Sequence, residues 1–80
     1  MKVELKAGHP VYDAMTDLFK FHRDFGEPEE RDGYWLEIVD AVTALNNKYR
    51  DTEVHALVSR HLITAMVMLD KKAKEKGVST

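Results

Sequence analysis

With no cysteine in its 80 residues, the chain's four histidines are the strongest candidates for metal, acid–base or proton-linked chemistry. Two of them have an acid four residues away: His9 with Asp13, and His55 with Asp51. On a helix that step puts both groups on one face, as in half of a zinc site. Two ligands do not close a site. Each pair therefore reads first as a histidine near a helix start, beside a capping or first-turn acid. His22 and His61 differ, because each falls among the apolar positions of its own segment.

Paired acids are the next candidates. Glu27 and Glu30, followed by Glu37 and Asp40, superficially resemble the acidic magnesium motifs of all-helical nucleotide pyrophosphohydrolases. Such sites need both pairs on facing helices with the carboxylates converging on the ion. Pro28 lies inside the first pair and only six residues separate the two, so a solvated loop and an exposed helix face are expected instead. Serine occurs only at Ser59 and Ser79, neither in a strand-to-helix elbow. The glycines stand singly at 8, 26, 33 and 77, which excludes a glycine-rich phosphate loop. No catalytic residues, cofactor site or metal site are assigned, and the chain is not read as an enzyme.

Three segments carry helical periodicity. The first spans residues 10–25, with Pro10 in the first turn, where its missing N–H costs nothing. Val11, Met15, Leu18, His22 and Phe25 form its apolar face. Gly26 is read as a left-handed stop and Pro28 as a block to continuation. Residues 27–31 read as a solvated connection, and Asp32 as the cap of a second helix over 33–49. There Trp35, Ile38, Val42, Leu45 and Tyr49 form the stripe, with Val39 beside them and Trp35 as the aromatic anchor. Asp51 or Thr52 caps a third helix over 52–76, ending at Gly77. Val54, Val58, His61, Leu62, Ala65 and Leu69 make its inner face. At ~1.5 Å per residue it is near 36 Å long against ~24 Å for the others, so its last turns should project and fray. Residues 1–9 precede the helices, and the alternation of Val3, Leu5 and Ala7 suggests an extended arm.

Short connections make neighbouring helices antiparallel, and the expected fold is all-α: an up-down-up three-helix bundle with a short N-terminal arm. In that arrangement His22 and His61 stand at heights differing by only ~4–5 Å on parallel helices. The imidazoles can approach one another. Helix two offers only Ile38 and Val39 at that level, so no third ligand is in sight. Structural histidines bonded to a backbone carbonyl or water are the first reading, and a pH-sensitive pair is the second.

Composition narrows the classes further. Charged residues make up 32% and hydrophobic ones 44%, a balance that suits a folded globular chain. No apolar run approaches the ~20 residues of a membrane helix, and residues 1–6 do not look like a signal peptide. A cytoplasmic protein is the expectation. Net charge is −2, which predicts no bulk attraction to nucleic acid or acidic membranes. The charge is uneven: residues 1–40 carry five basic and ten acidic groups, residues 41–80 seven and four. The lysine-rich end, 71–76, reads as a solvated last turn that suits the helix dipole.

The segment 62–69 is apolar nearly all round, yet a third helix can bury only one stripe. Ile63, Met66 and Val67 then point away from the core, with Ala56 and Ser59 extending that back face. Arg60 and Asp70 flank it and could pair across an antiparallel dimer. An exposed apolar face on so small a chain marks an interaction site. The expected function is a protein–protein interaction or accessory module, homodimeric or with a protein partner. A nucleic-acid-associated regulator is the alternative. Neither membrane contact nor a small-molecule substrate is expected.

The stretch 19–76 also resembles a group of small helical proteins of bacteria that often occur near mobile elements. The similar parts are Phe25-Gly26-Glu27-Pro28-Glu29, the opening Asp32-Gly33-Tyr34-Trp35-Leu36-Glu37, and the lysine-rich finish. The resemblance implies a helical fold and a bacterial or phage setting. It transfers no functional residues.

Overall fold

The computed structural model describes residues 1–31 and 33–77, in which three helices and no strand are present. The cap assigned to Asp32 and the serine at position 79 lie outside the described residues. Helix α1 is Pro10–Phe25, α2 is Tyr34–Lys48 and α3 is His55–Lys76. Each packs against both of the others.

α1 starts where its sequence suggests. Pro10 occupies the first turn, and the His9 Nδ1 accepts from the Val11 N–H at 3.1 Å, satisfying one of the orphan donors of a helix start. Asp13, in that first turn, accepts from the Gly8 N–H at 3.1 Å. At the other end Gly26 is right-handed, φ −66° and ψ −18°, and not the left-handed stop its sequence suggested. Its missing side chain answers to crowding: a Cβ there would run into the backbone carbonyl of His22. The left-handed glycines are Gly33, φ 89°, at the start of α2, and Gly77, φ 76°, which closes α3 with bonds to the Ala73 and Lys74 carbonyls.

α3 begins three residues later than its periodicity predicts. Thr52 does cap, but it caps a turn. Its hydroxyl donates to the Tyr49 carbonyl at 2.8 Å and accepts from the Val54 N–H at 3.3 Å. Residues 50–54 therefore form a tight connection, and Tyr49 and Val54 are drawn into the core on either side of it.

The core is built from Ala14, Leu18 and Phe21 of α1, Tyr34 and Ile38 of α2, and Val58, Leu62, Ala65, Leu69 and Ala73 of α3. Leu18, Ile38, Val58, Leu62 and Leu69 occupy the places the sequence assigned them. Val11, Val42 and Leu45 are only partly buried against the cluster. Two stripes turn. In α1 Met15 is exposed and Ala14 and Phe21 go inside, because the helix must face two neighbours at once. Its seam points between them, which leaves Asp17 toward α2 and His22 toward α3. In α2 the anchor is Tyr34, 1% exposed, in place of Trp35, which is half-buried. The Tyr34 hydroxyl donates to the Phe25 carbonyl at 2.7 Å, whereas the Trp35 indole N–H is sealed from solvent with no acceptor. Val39 is exposed.

The connection between α1 and α2 is solvated as expected at Glu27, Glu29, Glu30 and Arg31, but it is also pinned to the bundle. Pro28 is buried, and α3 reaches over to hold the segment. Lys72 Nζ donates to the Gly26 carbonyl at 2.9 Å and to Glu27 at 2.7 Å, and Lys76 meets Glu27 at 3.2 Å. The end of α3 therefore does not project free, and Leu69 and Ala73 beneath it are fully buried. Residues 1–6 have no regular secondary structure, and the first eight residues are exposed.

Candidate functional site

His22 on α1 and His61 on α3 meet directly. Their Nε2 atoms lie 2.8 Å apart, and the ring centroids are 5.1 Å apart with planes at 77°. So short a separation between nitrogens, beside that centroid distance, means the rings meet end to end. One Nε2 must carry the proton and donate, and the other must present its lone pair, so the two rings are opposite tautomers. The carbonyl or water partners anticipated for each histidine are replaced by the other histidine. Burial first, and His22 second, hold the His61 imidazole below the ordinary value of 6.5.

End-to-end geometry suits a proton better than a metal ion. Each lone-pair direction runs into the opposite nitrogen, whereas chelation needs both directed at a third point. Among the described residues no three His, Cys, Asp or Glu side chains gather closely enough to hold a metal ion. The pair sits between two shallow hollows. One is lined by His22, His61, Thr64, Ala65 and Met68, and the other by Ala56, Leu57, Arg60, His61 and Thr64.

The remaining sequence candidates separate into local roles. His9 is the α1 cap already described, and Asp13 serves the Gly8 amide. His55 lies 3.4 Å from the Ser59 hydroxyl, which donates to Asn46 of α2 at 2.6 Å, and Asp51 is exposed. The acids do not converge. Glu27 is taken by Lys72 and Lys76, while Arg31 bonds both Glu29 and Glu37.

Spacing alone did not reveal the polar cluster around Asp17. Lys48 reaches its carboxylate at 2.7 Å and the Tyr49 hydroxyl donates to it at 2.5 Å. Burial pushes this carboxyl up, but the bonds from Lys48 and Tyr49, with the charges of Lys48 and Lys20, hold it below its usual 3.8. Burial and the bonded carboxylate push the Tyr49 phenol well up. A carboxyl depressed in the folded state favours folding above its unfolded value, and that contribution is lost as pH falls below about 3.8. Asp17→Asn should cost about 1–3 kcal/mol at pH 7, the usual scale for a hydrogen bond to a charged group. Urea titrations of both proteins should draw together as pH falls below about 3.8 and the wild-type carboxyl loses its advantage.

On α3, Ile63 and Val67 are 61% and 66% exposed. Ala56 and Arg60 are exposed on the same stripe, seven and three residues before Ile63. Three other assignments to this face change. Met66 is half-buried and packs on the core. Ser59 points toward α2 through its bond to Asn46. Asp70 is paired with Lys74 at 2.9 Å. No helix among the described residues is long and apolar enough to cross a membrane. Comparison with protein-family models, with curated proteins and with solved structures finds no match to this chain.

Proposed function

We propose that this chain is a small protein–protein interaction module that associates as a homodimer through the back face of α3. The exposure of Ile63 and Val67, two aliphatic side chains one helical turn apart in the middle of the longest helix, carries the reading. Their burial against a second copy at a twofold axis would remove that apolar surface from water, in the commonest closed arrangement for identical chains. The order of contacts along the helices supports an up-down-up bundle presenting this face outward. Tyr34 reaches Phe25 while Tyr49 reaches Asp17, and His61 meets His22 while Lys72 meets Gly26. In this reading residues 1–9 are an arm beside the bundle.

Two features favour an interaction module over a nucleic-acid regulator. Lys72 and Lys76 are committed to Glu27, and Lys74 to Asp70, so the lysine-rich end is largely neutralised within the chain. The uneven charge of the two halves is likewise used internally, through Lys48 with Asp17 and the lysines with Glu27. Because Asp70 already has a partner, an Arg60–Asp70 pair between copies would add little, and the apolar contacts must carry the association.

Light scattering on the wild type and on a variant combining Ile63→Lys and Val67→Lys tests this. The wild type should weigh twice 9.2 kDa at high micromolar concentration, and the variant one chain with its helicity intact by circular dichroism. A monomeric wild type, or a variant that still dimerises, would overturn the reading. Loss of helicity in the variant would place these residues inside the fold and remove the face altogether.

A further inference from the structure

We propose that His22 and His61 form a proton-operated latch between α1 and α3, which holds through the first added proton and opens with the second. In the neutral pair one ring donates through Nε2–H and the other accepts at Nε2. The donor ring then has its free lone pair on Nδ1, and the acceptor ring carries its hydrogen there. Neither Nδ1 bonds to a described residue and neither is sealed from solvent, the Trp35 indole nitrogen being the sealed one.

A first added proton has an open place to go, the Nδ1 of the donor ring. The facing bond survives and becomes charge-assisted, an imidazolium donating to a neutral imidazole. A second proton finds only the acceptor Nε2, the lone pair that makes the bond. Two N–H groups and two positive charges would then face each other across 2.8 Å, and the rings must part.

The surroundings offer no relief. On α1, Lys20 acts on Asp17 and Asp24, and Arg23 is tied to Asp24 at 2.9 Å. On α2, Lys48 is bound to Asp17 and Glu37 to Arg31, and no α2 residue lines either hollow beside the pair. On α3 the charged neighbour is Arg60, which shares a hollow with His61 and opposes further protonation. Asp70 is held by Lys74, and Lys72 by Glu27. Among the described residues no carboxylate faces the pair to stabilise the doubly charged state.

The direction of the pH effect follows. Below the ordinary histidine value of 6.5 the unfolded chain takes up protons that folded His61, half-buried and facing His22, resists. Stability therefore holds while the pair takes its first proton, and falls once the unfolded chain binds the second proton that the closed pair refuses. Opening would separate the last turn of α1 from α3, next to buried Phe21, Leu62 and Ala65. This inference does not depend on the dimer, because His22 and His61 lie off the Ile63 and Val67 stripe.

Nitrogen-detected imidazole NMR of the full chain, from pH 8 to 4, tests it. At pH 8 the pair should show opposite tautomers. Its two protonation steps should differ at least tenfold in proton affinity, as expected for groups that titrate as a unit. The melting temperature should hold through the first step and fall with the second. His61→Gln and His22→Gln should each abolish that fall, since an amide oxygen still accepts from a protonated imidazole. Identical tautomers with two independent steps would overturn the latch, as would an acid-induced fall of equal size in the wild type and both variants. Should either variant fail to fold, the wild-type titration alone decides.

Discussion

Tyr34→Ala is expected to destabilise the fold by about 3–5 kcal/mol, the scale for emptying a buried aromatic position. A domain of 80 residues has on the order of 4–12 kcal/mol in all, so the loss would leave a large unfolded fraction. Two effects combine at this site. The ring is 1% exposed, in edge contact with Phe25 and Trp35, and its removal opens a cavity between the end of α1 and the start of α2. The hydroxyl bond to the Phe25 carbonyl is lost as well. Tyr34→Phe separates the two and should cost only about 1 kcal/mol. Trp35 is the informative control. It is half-buried with an unbonded indole N–H, so Trp35→Phe loses no hydrogen bond and should be close to neutral. Urea unfolding followed by circular dichroism ranks the three. Equal losses for Tyr34→Phe and Tyr34→Ala would mean that the ring is not the anchor.

Leu62→Ala is expected to cost about 2–5 kcal/mol, and Val67→Ala to stay within about 0.5 kcal/mol of the wild type in dilute monomer. The two residues sit five positions apart in the same apolar run, yet Leu62 is fully buried and Val67 is 66% exposed. Thermal melts at low micromolar concentration measure both without contribution from association. A large loss at Val67 would mean that the inner face of α3 is wrongly placed, and with it the surface proposed for dimerisation. Agreement would confine the unexplained apolar character of α3 to its outer side.

Much of the fold was legible in the chain because its signals are local. Pro10 and the periodicity from Val11 to Phe25 delimit α1 to the residue. Gly77 ends α3 where expected, since a left-handed stop needs only its own backbone freedom. The approach of His22 to His61 was also readable, as helix rise and chain direction set their heights. Other features depend on where neighbouring helices lie. Periodicity defines a face only to within a residue or so, and the choice of Tyr34 over Trp35, or of Ala14 over Met15, is made by which neighbour must be touched. The register in α2 follows from an acceptor, the Phe25 carbonyl, that belongs to another helix.

The chain by itself determined the number, type and approximate ends of the helices and the exposure of Ile63 and Val67. Those follow from propensity, punctuation and a surplus of apolar residues that one stripe cannot absorb. Only the tertiary structure decided which polar groups pair. Lys72 and Lys76 lie 45 and 49 residues from Glu27, and Lys48 lies 31 from Asp17. No local pattern encodes such partners, because a long side chain bonds whatever the packing of the apolar core brings within ~3 Å. Core packing therefore turned a charge run that read as a solvated helix end into a clamp on the α1–α2 connection. It also gave two histidines whose approach was foreseeable a direct bond to each other in place of carbonyl or water partners.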